Sequence, residues 1–211
     1  MAITELIFPK LKLDQALLKT FAEALPAAAK QTFPGTPGLT SFYQGKIIEA
    51  QDVSRAIDVE HSDHVMVLEW DKISSFNTFW ESEGYAAFRA VMKPFILSPV
   101  SPHLYYSEIS DSGSTTAYKY TQYIKVDGRE SENKSVESSW RKLVQEIGID
   151  TKSFHAWGIQ ESDGAFMGMN GWSSLEDLKS AFERDSVKTA LRELTKYGHV
   201  TAYVLELTRP F

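Results

Sequence analysis

The chain of 211 residues contains no cysteine. This absence excludes a disulfide framework, a thiolate nucleophile and any metal site built on cysteine. No apolar run approaches the roughly 20 residues that a membrane-spanning helix needs, and the first residues lack the basic and apolar regions of a signal peptide. The net charge is −6, and no basic stripe is interleaved with aromatic residues, which argues against nucleic acid as a partner. We therefore expect a cytoplasmic protein with neither a membrane nor a nucleic-acid partner.

The short motifs that bind common cofactors or create a nucleophile are also missing. The sequence has no glycine-rich phosphate loop, no dinucleotide-binding fingerprint and no nucleophile elbow. No set of three histidines or carboxylates has the spacing of metal ligands. We therefore expect no metal and no cofactor, so that side chains and the substrate itself must carry any chemistry.

What the sequence does contain is one unit that occurs twice. Residues 65–70 form an apolar segment that ends on a tryptophan, and residues 167–172 end on a tryptophan in the same way. Apolar residues at helical spacing follow each segment, which predicts a strand that turns directly into a helix. Asp71 is a candidate cap for the first of these helices, and Ser173-x-x-Glu176 has the form of a capping box for the second. Asp14 is a candidate cap for the helix that follows the first strand.

The other segments follow the same order around each copy of this unit. Periodicity and turn residues predict the order β-α-β-β-α-α-β over residues 1–110, and again over residues 116–211. The stretch 110–115, rich in serine and threonine, is predicted to be a flexible linker. Pro9 indicates that the first strand lies at a sheet edge. Only the first half has a long polar connection, residues 51–63, and such connections are often functional.

This order is that of a ferredoxin-like unit, in which helices cover one face of a four-stranded antiparallel sheet. The opposite face should be apolar, because Val65 and Val67 alternate with their neighbours, as do Met167 and Met169 in the second half. We therefore predict an α+β fold in which two tandem ferredoxin-like β-α-β-β-α-α-β units pack sheet to sheet. The result would be a pseudo-dimeric α+β barrel with an internal twofold relation.

The repeated strand–tryptophan–helix unit resembles the dimeric α+β barrel superfamily, and residues 172–176 are its most family-like part. The resemblance implies that two ferredoxin-like units, here in one chain, leave a pocket between sheet and helices. The superfamily includes cofactor-free oxygenases of the antibiotic-biosynthesis-monooxygenase type, polyketide cyclases, lactone isomerases, haem-degrading enzymes and proteins with no known reaction. Membership of the fold does not choose among these.

The strand that begins at His64 also resembles the third strand of plant polyketide cyclases of the olivetolic-acid type. That resemblance implies that His64 lines the pocket. The cyclase base is a histidine on the next helix, where this sequence has Tyr85, and an unperturbed phenol with a pKa near 10 is a poor base. His64 is therefore the predicted catalytic base, because imidazole titrates near neutral pH, with Tyr43 and Tyr85 as hydrogen-bond partners. By alternation it should lie on the helix-covered face. The alternative is a structural histidine at the edge of the sheet.

Further candidate residues come from the same region. His61 could form a proton relay with His64, and Glu69 is a carboxylate within an apolar strand, which either serves the reaction or only marks the strand end. The aromatic residues at helical spacing either form core or line a cavity for a planar apolar ligand. The predicted substrate-binding residues are His61, Glu69, Trp70, Phe79, Trp80, Phe88 and Tyr105.

Together these features predict a cofactor-independent enzyme that acts by proton transfer, through cyclisation or isomerisation, on a small aromatic or polyketide-like molecule. Two alternatives stay open: a cofactor-free monooxygenase of an aromatic polyketide, and a non-catalytic small-molecule-binding or stress protein. The expected partners are a small hydrophobic or aromatic ligand and, as an option, a second copy of the chain. We expect the site in the first half, because the second half has Phe166 in place of His64.

Overall fold

The computed structural model describes residues 2–12, 14–52, 63–108, 111–128, 130–148 and 152–210. The strands in these residues are β1 (Ala2–Ile7), β2 (Leu39–Asp52), β3 (His64–Trp70), β4 (His103–Ser107), β5 (Tyr120–Gly128), β6 (Ser153–Ile159), β7 (Ala165–Trp172) and β8 (Gly198–Thr208). The helices are α1 (Gln15–Thr32), α2 (Ile73–Trp80), α3 (Glu83–Met92), α4 (Gly113–Thr116), α5 (Asn133–Ile147), α6 (Leu175–Glu183) and α7 (Asp185–Leu194).

The eight strands form one closed antiparallel barrel in the order β1-β3-β2-β8-β5-β7-β6-β4. The strands of the first half are neighbours within it, and so are those of the second half. The two groups meet edge to edge, where β2 pairs with β8 and β4 pairs with β6. The predicted α+β class is confirmed. The sequence predicts two sheets that pack face to face. In the structure the edges of the two sheets also pair, and this pairing closes the barrel.

The inside of the barrel is an apolar core to which both halves contribute. Val65 and Val67 of β3 point inward and pack with Met167 and Met169 of β7. Side chains along a strand point alternately to its two faces, so the same alternation turns Met66, Leu68 and Trp70 outward. Burial of an aliphatic side chain of this size stabilises the folded state by roughly 1.5–3 kcal/mol. This shared core therefore contributes much of the free energy that holds the two halves together.

Helices cover the outer face of the barrel in two separate clusters. In the first, α1, α2 and α3 pack over Met66, Leu68 and Trp70 of β3. In the second, α5, α6 and α7 pack over β5, β7 and β8, and the ring of Trp140 lies where a Cβ on Gly168 would approach it to 2.5 Å. The indole of Trp140 therefore fills the space between helix and sheet in the second half. None of the described helices combines the length and the apolar character that a membrane crossing requires.

Two predictions about segments are wrong. β1 is not an edge strand, because it pairs with both β3 and β4. Pro9 does not prevent this, since the strand ends at Ile7 and the missing N–H of proline is not needed in the ladder. The predicted linker is not simply flexible either: α4 occupies part of it, and Ser112 and Thr115 are fully buried.

The predicted helix starts are partly correct. Asp14 caps α1, since its carboxylate accepts a hydrogen bond from the N–H of Leu17 at 2.9 Å. Asp71 does not cap α2, which begins at Ile73 without a side-chain cap. The cap of α6 is Ser174, one residue later than predicted, and it accepts from the N–H of Asp177. Of the long connection at 51–63, residues 53–62 lie outside the described residues, and β2 extends to its start.

Candidate active site

A cavity of about 640 Å³ lies between the outer face of β1 and β3 and the helices α1 and α3. Most of its wall is apolar, with Phe21, Phe79 and Phe88 among the lining side chains. Exposed residues of α3 and the segment 96–100 form its mouth. Small-molecule sites typically measure about 300–1,000 Å³. This cavity can therefore hold a molecule with several fused rings. Two smaller cavities, of about 370 and 260 Å³, lie beside α6.

Glu5 of β1 places a carboxylate in the floor of this cavity. It pairs across the ladder with Leu68, so both side chains point outward toward the helices. Only 2% of Glu5 is exposed. The indole Nε1 of Trp70 donates a hydrogen bond to Oε2 of Glu5 at 2.8 Å, which fixes the orientation of the carboxyl group.

Burial raises the pKa of Glu5 from 4.5 to about 7, and the hydrogen bond from Trp70 offsets only part of that rise. The cause is the loss of hydration, which disfavours the charged form of a carboxylate in an apolar site. Glu5 therefore exchanges its proton in the physiological range, as a general base or acid in neutral solution needs to do.

Tyr85 of α3 lines the same cavity and is buried. Its ring packs on Trp80 with the centroids 4.4 Å apart, and the guanidinium of Arg89 lies 5.4 Å from its centroid. Burial and, second, the negative charge of Glu5 raise the pKa of the phenol above its ordinary value of 10. Tyr85 therefore stays protonated at neutral pH and can donate a hydrogen bond to an oxygen of a bound molecule.

His64 lies on the helix-covered side of β3, as its alternation with Met66 predicts. Its ring contacts Phe21 edge to face, with the centroids 5.0 Å apart, and Nδ1 lies 2.9 Å from a carboxylate oxygen of Asp63. Its side chain is 18% exposed. Burial lowers the pKa of His64, although Asp63 opposes this effect. His64 does not line the cavity itself, but Phe21 lies between the two.

Three of the predicted site residues lie on the opposite, inner face of the sheet. Tyr43 pairs with Val67 and Tyr105 pairs with Thr4, and both tyrosines belong to the core inside the barrel. The hydroxyl groups of Tyr105 and Tyr123 lie 3.0 Å apart there. Glu69 is also buried on this face, where it accepts a hydrogen bond from Thr4 at 3.1 Å. The structure therefore separates these residues from His64 and from the cavity by the thickness of the sheet.

Of the other predicted residues in the described part of the chain, some line the cavity and one lies buried behind it. Phe79, Trp80 and Phe88 line the cavity. Trp70 is completely buried behind it and acts on the cavity through its hydrogen bond to Glu5. His61 lies outside the described residues.

Sequence reasoning missed Glu5, although the signal was present. The strand Ile3–Ile7 is apolar apart from Thr4 and Glu5, and alternation puts Ile3, Glu5 and Ile7 on one face. A lone carboxylate on the apolar, helix-covered face of a strand is unusual, because burial of an unpaired charge is costly. Like Glu69, Glu5 is a carboxylate within an apolar strand.

No protein-family model and no curated protein matches this sequence significantly. The fold, in contrast, is similar to solved structures along nearly the whole chain. A protein of Fusobacterium nucleatum subsp. nucleatum assigned as a monooxygenase aligns with a TM-score of 0.63 at 10% identity, over 98% of this chain and 92% of that one. An anthrone oxidase-like protein gives 0.61 at 8% identity, over 99% and 92% of the two chains.

A variant of the chlorite dismutase of Candidatus Nitrospira defluvii also aligns with a TM-score of 0.61 at 8% identity, over 99% of this chain and 92% of that one. At such low identities the similarity establishes a shared α+β barrel fold and nothing about the reaction. The predicted resemblance to α+β barrel proteins is therefore confirmed at the level of the fold.

Proposed function

We propose that the protein is a cofactor-independent enzyme in which Glu5 removes a proton from carbon in a small aromatic or polyketide-like molecule. The observation that carries this proposal is the buried carboxyl group of Glu5 in the floor of a largely apolar cavity, with a pKa of about 7. A base works best when its pKa lies near the working pH, because it is then both available and sufficiently strong.

The surrounding residues fit the later steps of such a reaction. Removal of a proton next to a carbonyl group leaves an enolate, whose oxygen carries the new charge, and the hydroxyl group of Tyr85 can donate a hydrogen bond to it. Glu5, now protonated, can return the proton at another carbon, which completes an isomerisation. Alternatively, the carbanion attacks a second carbonyl group in the same molecule and closes a ring, and the alkoxide formed takes up the proton.

A second candidate is cofactor-free oxygenation, and the likeness in fold to the anthrone oxidase-like protein supports it. The first step would be the same, because Glu5 would remove a proton from the methylene carbon of an anthrone-type substrate. The carbanion would then reduce dioxygen, with one oxygen atom bonded to that carbon as a carbonyl and the other released in water. Both candidates therefore depend on Glu5 and differ only in whether oxygen is consumed.

We also propose that residues 1–110 and 116–211 are tandem ferredoxin-like units of the dimeric α+β barrel type. The matching element order from β1 to β4 and from β5 to β8 supports this division. Superposition of the two strand groups in a crystal structure would test it, and strands that fail to overlay in order would contradict it.

The pH dependence of proton abstraction tests the assignment of the base. Nitrobenzisoxazole is a suitable probe, because removal of its single ring C–H proton breaks the N–O bond and releases a coloured cyanophenolate. We expect kcat/KM to rise with pH through a transition near 7, since Glu5 accepts a proton only when ionised. His64 stays a predicted base, but its lowered pKa would put the transition below 6.5. A transition that disappears in His64→Ala would contradict the assignment to Glu5.

The hydrogen bond from Trp70 gives a second, independent test of the same group. Because this bond lowers the pKa of Glu5, Trp70→Phe should move the transition in the pH profile to a value above 7. Trp172→Phe is the matched control, since Trp172 ends β7 as Trp70 ends β3 but lies in the other helical cluster. A midpoint that stays unchanged in Trp70→Phe would show that Glu5 does not control the profile.

Anthrone separates the two candidate reactions. In deuterated buffer, wild-type enzyme that only transfers protons should accelerate deuterium exchange at the methylene carbon without uptake of oxygen. An oxygenase should instead consume one dioxygen per anthrone and form anthraquinone and water. If the protein binds anthrone but accelerates neither process, and nitrobenzisoxazole is also not turned over, the protein is a binder rather than an enzyme.

A further inference from the structure

We propose that the cavity selects molecules whose apolar body carries an anionic group, a carboxylate or a phosphate ester, which Lys12, Arg89 and Lys93 bind at the mouth. This inference rests on the proposed use of the cavity as a substrate site, and it adds the class and the orientation of the substrate.

The first observation is a charge distribution opposite to that of the whole protein. The chain carries a net charge of −6, yet three cationic side chains and a single carboxyl group line this cavity. Within the described part of the chain, no carboxylate forms a salt bridge with Lys12, Arg89 or Lys93. Their charges are therefore available to a ligand.

The second observation is that two separate segments bring the cations to the C-terminal part of α3. Arg89 and Lys93 are four residues apart on α3 and its C-terminal cap, so they share one face of the helix. Lys12 comes from the segment after β1, and its Nζ donates to the carbonyl group of Pro94, the residue after Lys93, at 2.7 Å. Backbone hydrogen bonds between residues 10–12 and 95–97 hold the segment of Lys12 beside the chain that follows α3. An anion at the mouth can thus meet positive charges from two segments of the chain.

The third observation sets the orientation of the ligand. The walls below the mouth are apolar, and a charge placed among them would lose its hydration without a partner. Glu5 at the floor must become negative to act as a base, and an anionic group beside it would oppose that ionisation. The anion therefore belongs at the mouth, and the carbon that loses its proton belongs at the floor.

Three naphthalene compounds with the same rings test this class. Binding of naphthoate, naphthyl phosphate and naphthalenemethanol to the full-length protein can be measured by calorimetry. We expect the anions to bind about tenfold more tightly than the neutral alcohol, because partly exposed ion pairs are individually weak. The preference should disappear in 1 M salt, where the screening length is about 3 Å. The tighter of the two anions identifies the head group.

Two double variants test whether the cations at the mouth cause the preference for anions. The double variant Arg89→Gln, Lys93→Gln should lose most of the preference for the anions and keep its affinity for naphthalenemethanol. Lys188→Gln, Arg192→Gln removes the same charges at the same spacing from the exposed face of α7, and it should keep the preference. Glu5→Gln should keep it too, because the anion does not reach the floor.

Equal affinity of wild-type protein for all three compounds would overturn the inference, and so would equal loss in both double variants. A preference lost only in Glu5→Gln would put the anion at the floor and would also contradict it. None of these results affects the proposed proton transfer, which fails separately if turnover of nitrobenzisoxazole does not depend on Glu5.

Discussion

Replacement of Glu5 by glutamine should reduce kcat for nitrobenzisoxazole by about 10²–10⁴-fold, the usual contribution of a general base. Glutamine has the shape of glutamate, and its carbonyl oxygen can still accept the hydrogen bond from Trp70. It cannot take up a proton at neutral pH, so the chemical step should be lost while the cavity persists. KM should therefore change little. Steady-state kinetics that determine kcat and KM separately will show whether only kcat falls.

Glu69→Gln is the matched control, because Glu69 is also a buried carboxyl group with a raised pKa but lies on the inner face of the barrel. It should retain most of the turnover. His64→Ala should retain it as well if Glu5 is the base. Full activity in Glu5→Gln combined with a large loss in His64→Ala would reverse the two roles and restore the base predicted from the sequence.

The sequence was sufficient for the parts of the fold that depend on repeating patterns. Alternation in β3 correctly predicted that Val65 and Val67 point to the contact between the sheets and that His64 points to the helices. The order of strands and helices follows from periodicity and turn residues. Closure of the barrel through β2–β8 and β4–β6 could not be predicted in this way, because edge pairing depends on backbone groups that every residue carries.

The candidate site was harder to predict, because a shift of one residue moves a side chain to the other face of a sheet. Tyr43 is predicted as a hydrogen-bond partner of His64, but it pairs with Val67 and packs with Phe154 inside the barrel. Alternation places Glu5 on the helix-covered face, but its hydrogen-bond partner could not be predicted. Trp70 is 65 residues away, and no local pattern links the two.

The segment between the halves shows the same limit. Its three serines, one threonine and one glycine are typical of a flexible connection. In the structure Ser112 is fully buried, and its hydroxyl group donates a hydrogen bond to the carboxyl group of Glu69. The carbonyl group of Ser112 also accepts from the hydroxyl groups of Thr115 and Thr116. Small polar residues therefore complete a buried cluster of hydrogen bonds at this point. The composition of the segment alone does not predict this cluster.

Glu69 should make the stability of the fold decrease as the pH rises. Burial raises the pKa of Glu69 from 4.5 to about 8, although Ser112 and Thr4 both donate hydrogen bonds to it and thereby lower the pKa. The folded state thus keeps a proton that the unfolded chain releases above about 4.5. The stability conferred by this proton is complete below that pH and is lost as the pH rises through 8. The difference of about 3.5 pKa units corresponds to an upper value of about 5 kcal/mol.

Urea unfolding at pH 5.5 and at pH 8.5 will measure this effect. We expect the free energy of unfolding of the wild type to be several kcal/mol lower at pH 8.5, and Glu69→Gln should remove the larger part of the difference, because an amide does not ionise. Glu5→Gln should remove a smaller part, since the pKa of Glu5 is raised only to about 7. Glu176→Gln, at an exposed position of α6, should leave the difference unchanged. Stability that is equal at the two pH values in the wild type, or an unaltered difference in Glu69→Gln, would show that Glu69 does not retain a proton in the folded state.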